Sequence, residues 1–239
     1  MEPKDPEMIE RMHADPAVAR LSRELFLRTA EFRYSYNFSW LGRPIIQYPE
    51  DVVALQEIVW KTKPNLIVET GIAHGGSLIF FGSLLALLGG DRLALGVDIE
   101  IRPHNRAAIE AHPLARHVRM IEGSSVDPAV VQQVRACAEG RESVMVVLDS
   151  NHTQEHVAAE LRAYAGLVRK GGYLVVMDTV VEYMPDEAFP NRPWGAGNNP
   201  MGAVEEFLAA NPRFSIDPEY DRKLLLSVAP RGYLRAVAD

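Results

Sequence analysis

Hydrophobic positions along the chain fall into short blocks whose spacing switches between two periods. Leu66 to Glu69, Leu93 to Asp98, Val118 to Gly123, Val144 to Asp149 and Tyr173 to Asp178 are brief runs rich in branched residues. The fourth is continuously Val, Met and Leu up to its terminal aspartate, as a strand buried on both faces requires. Between these runs lie segments with helical spacing: Ser77–Leu88, Arg106–Ala111 and His156–Val168. This rhythm predicts an α/β fold, a doubly wound and mostly parallel Rossmann-like sheet. A helix at Gly202–Ala210 and two closing strands, near Phe214–Ile216 and Leu224–Ala229, are expected to complete it.

Two stretches stand outside the rhythm. Residues 7–30 read as one helical segment, followed by the aromatic run Phe32 to Trp40. Pro49-Glu50-Asp51 then opens a helix, because proline suits a first turn and acids favour its dipole. Residues 1–50 are therefore expected to form an N-terminal helix with an aromatic lid or oligomerisation segment, and 51–239 the ligand-binding domain. The second stretch, 181–202, is rich in Pro, Gly and Asn, and a loop this long is usually functional or disordered.

Composition narrows the partners. The net charge of −7 argues against a nucleic-acid binder, which needs a basic field. The single cysteine, Cys137, excludes an internal disulfide or a thiolate zinc cluster, and reads as an ordinary half-buried thiol. The N-terminus is polar, and the longest apolar stretch, Leu78–Leu88, is well short of the roughly 20 residues that span a bilayer. A cytoplasmic protein acting on a small molecule, away from membranes, is the expectation.

In such sheets ligands bind beyond the carboxyl ends of the strands. The first of these turns reads Glu69-Thr70-Gly71-Ile72-Ala73-His74-Gly75-Gly76-Ser77. It carries neither the dinucleotide glycine spacing nor a phosphate loop. A carboxylate precedes the glycines instead, and suits an amino-bearing cationic ligand. Asp98 ends the second strand, 27 residues after Gly71, where it can accept both hydroxyls of a ribose. Ile99 follows it, and Gly123-Ser124-Ser125 after the third strand can close over an adenine edge. Together, Glu69, Thr70, Gly71, Gly75, Ser77, Asp98, Ile99 and Gly123 to Ser125 describe a site for an adenosyl ligand without phosphates. The plainer reading of the same residues is a tight turn and a helix cap.

The fourth and fifth strands end in Asp149 and Asp178, side by side at one sheet edge. Two close carboxylates repel unless a cation sits between them, and hard oxygen ligands suit Mg²⁺ or a similar divalent ion. Such an ion lowers the pKa of a substrate hydroxyl. His152, three residues past Asp149, is placed to take that proton, its ordinary pKa being about 6.5. His156 reads as a supporting or structural residue, His74 as a possible cofactor contact and Glu182 as a possible extra acid.

These residues sit in longer motifs. The run Trp40-Leu41-Gly42-Arg43-Pro44-Ile45-Ile46-Gln47-Tyr48-Pro49, the glycine turn, Asp149-Ser150-Asn151-His152-Thr153-Gln154-Glu155-His156-Val157 and Trp194-Gly195-Ala196-Gly197-Asn198-Asn199-Pro200 resemble the cephalosporin hydroxylase/rhamnosyl O-methyltransferase family. The likeness runs from about residue 30 nearly to the end. It implies a class I methyltransferase using S-adenosylmethionine, with Asp149 also touching the cofactor, and a divalent metal held by Asp149 and Asp178. Where some relatives carry Glu-Asp after the fifth strand this chain has Met177-Asp178, which leaves Thr179 or a water to complete the metal shell. The resemblance also implies a sugar or nucleotide-sugar acceptor in secondary metabolism, and a homo-oligomer. Tyr34, Tyr36, Trp40 and Trp194 are candidates to stack on a sugar ring, and Arg33, Arg43 or Arg192 to hold a phosphate. Residues 32–40 and 185–200 would form a lid. An iron-dependent oxygenase, or a non-catalytic cofactor-binding partner in an antibiotic biosynthetic complex, are the alternatives.

Overall fold

The computed structural model describes residues 5–239, so the first four residues of the polar N-terminus lie outside the described residues. Strands β3 (Leu66–Thr70), β4 (Leu93–Asp98), β5 (Val118–Glu122), β6 (Val144–Leu148), β7 (Tyr173–Val176), β8 (Phe214–Ile216) and β9 (Tyr233–Ala236) form one sheet in the order β5-β4-β3-β6-β7-β9-β8. All pairs from β5 to β7 are parallel, and only β9 runs against its neighbours. Strand order reverses beside β3, which pairs with both β4 and β6. A crevice opens at the carboxyl ends there, where Gly71 and Asp149 follow the in-register residues Thr70 and Leu148.

Side chains alternate across the strands and feed two cores. Ile67, Met145, Val147 and Val175 pack under helices α3 (Pro49–Thr62) and α4 (Gly76–Leu88). Leu66, Val68, Val144, Val146, Leu148 and Val176 pack under α6 (Pro128–Ala138), α7 (Gln154–Tyr164) and α8 (Pro200–Ala210). Helix α4 is apolar around most of its circumference, and Leu78 to Gly82 are all buried, as a helix wedged between sheet and N-terminal segment must be.

Several expectations need correction. Residues 7–30 form two helices, α1 (Pro6–His13) and α2 (Pro16–Ala30), because Asp15 caps a new N-terminus and Pro16 cannot continue the old one. Five helices start at Asp-Pro or Asn-Pro pairs whose acidic or amide side chain accepts a first-turn N–H: α1, α2, α6, α8 and α9 (Pro218–Lys223). The Asp127-Pro128 pair is the signal for α6, which the apolar periodicity alone does not reveal. The strand expected at Leu224–Ala229 is irregular instead. There, Glu50 accepts the Leu225 and Leu226 N–H groups at 2.7 and 3.0 Å, and Asp51 accepts that of Val228 at 2.9 Å. Those donors are unavailable to a ladder, and the last strand forms at Tyr233–Ala236.

Strands β1 (Phe38–Trp40) and β2 (Arg43–Ile45) make a hairpin through Leu41 and Gly42, both at positive φ, the turn that best fits strand twist. Phe26 of α2 stacks on Tyr48 at 4.8 Å, which ties the N-terminal helices to the loop between β2 and α3.

Candidate active site

A cavity of about 1360 Å³ lies over the crevice, large against the roughly 300–1,000 Å³ usual for small-molecule sites. One side is the glycine turn. Gly71 sits at φ 83°, and a Cβ there would fall 2.0 Å from the Asp149 carbonyl oxygen. A Cβ on Gly76 would fall 2.1 Å from the Pro44 carbonyl. These glycines are needed first by the protein's own backbone, which draws β6 and the β2 hairpin against the turn. Asp98 closes it, accepting the Ile72 and Ala73 N–H groups at 2.9 and 3.1 Å through one carboxylate oxygen.

Gly71, Ser77, Asp98, Ile99, Ser124 and Ser125 all line the cavity. Glu69, Thr70, Gly75 and Gly123 do not: they form the layer beneath. Glu69 is fully buried, and burial, with Asp98 as a lesser cause, pushes its carboxyl up to about 8 despite a bond to Ser77. It is a neutral acid at pH 7 in the ligand-free protein. Gly75 leaves room for Ile109 and Gly123 for Val130.

At the ends of β6 and β7, Asp149, His152 and Asp178 converge, one ligand-capable atom of each lying within 4.8 Å of the others. Asp178 sits at φ 55°, a left-handed conformation that aspartate tolerates better than most residues and that turns the chain sharply after β7. Burial foremost, then the Asp178 carboxylate, holds the Asp149 carboxyl well above the usual range. Adding a cation between them would reverse that penalty. The His152 Nε2 is 3.6 Å from Asp178 Oδ2, and the ring packs edge-to-face on Trp194 at 4.9 Å. Arg192 lies over the other partner of that pair, its guanidinium 5.0 Å from the Trp194 ring centre.

Gln47, from the loop between β2 and α3, donates from Nε2 to Asp149 Oδ2 at 3.1 Å. Sequence reasoning assigned it no role, although it stands inside a quoted motif; its only signal was the glutamine between two apolar neighbours. Ser150 and His156 form a second layer. His156 Nε2 lies 3.1 Å from Ser125 Oγ and 3.2 Å from Ser150 Oγ, and Ser150 donates to the buried Glu160 at 2.7 Å. The network ties the loop after β5 to the loop after β6 through α7.

Four expected site residues are placed elsewhere. Thr179 is fully buried and donates to the Pro230 carbonyl at 2.6 Å, so it is no ligand candidate. Trp40 bonds Ser83 at 3.1 Å and packs edge-on against Phe80, on α4 and away from the cavity. Arg43 clamps the glycine turn through the His74 carbonyl and Asn105, which occupies its guanidinium. Glu182 accepts the Gly197 N–H and the Asn199 amide, which hold its carboxyl below the usual range and fold the 195–199 turn. Tyr34, Tyr36, Arg33, His74, Arg192 and Trp194 do line the cavity.

A parallel sheet of this order, with one antiparallel strand and the site at its switch point, is the class I methyltransferase fold. Among solved structures, a CmcI apo-structure has a TM-score of 0.60 at 21% identity, covering 85% of this chain and 78% of that one. A CmcI structure with Mg and SAM has a TM-score of 0.59 at 20% identity, over the same shares. The family model described as Rhamnosyl O-methyltransferase/CmcI matches residues 32–237. The rhamnosyl O-methyltransferase of Mycobacterium tuberculosis (strain ATCC 25618 / H37Rv) is 32% identical over 234 residues, covering 91% of this chain and 90% of that protein. The chain belongs to the rhamnosyl O-methyltransferase/CmcI family. With its fold, that membership makes it an S-adenosylmethionine-dependent O-methyltransferase.

Proposed function

We propose that this enzyme methylates a hydroxyl group on a sugar-bearing small molecule, with a divalent cation at Asp149 and Asp178. The convergence of Asp149, His152 and Asp178 beside the part of the cavity lined by Asp98, Ile99, Ser124 and Ser125 carries the reading. The donor set fits a hard cation: two close carboxylates, the Asp149 carboxyl raised by burial and then by Asp178, a penalty that a cation between them removes. S-adenosylmethionine supplies an electrophilic methyl group, and a bound cation the charge that acidifies an acceptor hydroxyl.

The chain's own residues do the rest. Asp98, Ile99, Ser124 and Ser125 line the half that would take the adenosine. Asp149 and Asp178 present oxygens at the meeting of cofactor and acceptor. His152, steadied by the Trp194 ring, receives the hydroxyl proton as general base. Tyr34, Tyr36 and Trp194 offer aromatic faces to an acceptor, and residues 32–40 with 185–200 exclude water from it. The name of the mycobacterial relative supports a deoxysugar such as rhamnose, on a natural product or nucleotide. The N-terminal segment also serves oligomer formation in this reading, and the site is cytoplasmic. Among the described residues no helix is long and apolar enough to cross a membrane.

An oxygenase site would combine two histidines with one carboxylate, the inverse of this cluster. The test is methyl transfer to rhamnosylated acceptors with Mg²⁺ and with EDTA. Transfer that EDTA abolishes is expected. Transfer undiminished by EDTA would remove the metal, and no transfer to any glycosylated acceptor would remove the sugar.

A further inference from the structure

Five buried side-chain polar atoms have no hydrogen-bond partner among the described residues, and four belong to Gln47, Glu69, Thr70 and Glu160 around the Asp149-Ser150 step. Strand alternation sorts them. Glu69 lies on the face of Ile67 and Val147, under α3 and α4, whereas Thr70 faces the opposite layer and Glu160 belongs to α7 there. Gln47 enters on the Glu69 face, in the loop that leads into α3. Its Oε1 is therefore an orphan acceptor, and the Glu69 Oε2 an unpartnered oxygen of a protonated carboxyl, on one side of Asp149.

The Gln47 amide is fixed in sense. Its Nε2 donates to the Asp149 carboxylate, so its oxygen must point away from that group with nothing to accept from. Gln47 is only 5% exposed yet lines the cavity wall. A buried amide oxygen left without a donor in a ligand-free site calls for a ligand group rich in N–H. The methyl donor has two nitrogen donors of that kind. Its adenine amino group belongs toward Ser124 and Ser125, two strands away across β4. Its ammonium group belongs toward β3, where both unpartnered oxygens are.

We infer that Gln47 is a cofactor-binding residue, its Oε1 accepting a hydrogen bond from the ammonium of the donor's amino-acid moiety while its Nε2 fixes Asp149. The loop that leads from the N-terminal hairpin into α3 thus contributes to cofactor binding. The inference rests on the placement of S-adenosylmethionine given above.

Calorimetric titration with two ligands tests it, with EDTA present so that no cation at Asp149 intrudes. S-adenosylhomocysteine carries the amino-acid moiety, and 5′-methylthioadenosine lacks it. Gln47→Met, similar in shape, is expected to weaken S-adenosylhomocysteine at least about tenfold while leaving 5′-methylthioadenosine within about twofold. Gln47→Glu keeps an acceptor and is expected to retain S-adenosylhomocysteine binding. Equal loss of both ligands in Gln47→Met, no loss of either, or loss of S-adenosylhomocysteine in Gln47→Glu would overturn the inference. A wild-type protein that binds neither ligand would overturn the cofactor placement itself, a result distinct from all three.

Discussion

Two aspartates on the same side of the molecule, Asp51 buried and Asp149 half-buried, meet opposite fates. Asp51, in the first turn of α3, accepts bonds from Ser227 at 2.6 Å, Tyr233 at 2.6 Å and the Val228 N–H at 2.9 Å. Asp149 accepts one side-chain bond, from Gln47, and faces a second carboxylate. Burial raises both. Asp51 rises only to about 6, because three donors oppose the desolvation, whereas Asp149 is driven further by Asp178, Glu69 and Glu160. A carboxylate that the fold needs is satisfied by the fold. Asp149 is left short by the fold, and in the proposed reading that shortfall is what a cation fills.

The sharpest way to break this contrast is to neutralise the two acids at the site. Asp149→Asn and Asp178→Asn should each lower turnover by about a thousandfold, the scale of losing a key electrostatic group. Thermal stability should hold or rise, because like-charge repulsion is relieved. Loss of folding in both, measured by circular dichroism, would make them structural like Asp51.

His152→Ala should lower kcat by about a hundredfold or more, as for a lost general base. Manganese affinity, read by titration, separates two roles. It should stay unchanged for a base and fall for a ligand, a role that its closeness to Asp149 and Asp178 also permits.

On the structural side, Asp51→Ala strands three donors and should destabilise the fold by roughly 3 kcal/mol, with unfolding midpoint in urea as the readout. Its site should still bind S-adenosylhomocysteine. A stability change near zero would erase the distinction drawn above.

The last effect, no larger than that one, is a pH dependence. Asp51 titrates at about 6 in the fold against 3.8 in an open chain, so the native state holds the extra proton between those values. Its contribution is therefore fully present below about 3.8 and is lost as pH rises through about 6. Subtracting an Asp51→Asn variant isolates it from other carboxylates. The difference should amount to roughly 3 kcal/mol at most and appear between pH 4 and 6, from the shift of about two units. A difference growing instead as pH falls would reverse the assignment.

The contrast between Asp51 and Asp149 also marks what could be read along the chain. Asp149 follows an apolar run and precedes Ser-Asn-His, so its place at a strand end was legible from periodicity. Asp51 looked only like a first-turn acid favouring a helix dipole, since its partners Ser227, Val228 and Tyr233 lie more than 170 residues away. The same distance misled the reading of Leu224–Ala229, whose strand-like pattern was overruled by Glu50 and Asp51. Arg43 and Trp40 looked like ligand residues because charge and aromaticity are visible in a sequence, whereas the carbonyl of His74 and the hydroxyl of Ser83 that engage them are not. Helix α6 was legible after all, through Asp127-Pro128 capping rather than through apolar spacing.

By itself the sequence determined the alternation of strands and helices, the switch-point turn, and the three residues Asp149, His152 and Asp178, because each follows from local periodicity and position at a strand end. Only the tertiary structure decided which polar groups face the cavity and which are consumed beneath it. Gln47 reaches Asp149 across 102 residues, and Thr179, next to Asp178, is turned away to Pro230. That choice depends on where distant donors and acceptors meet once the layers pack, and it is the satisfaction of buried hydrogen bonds that makes it.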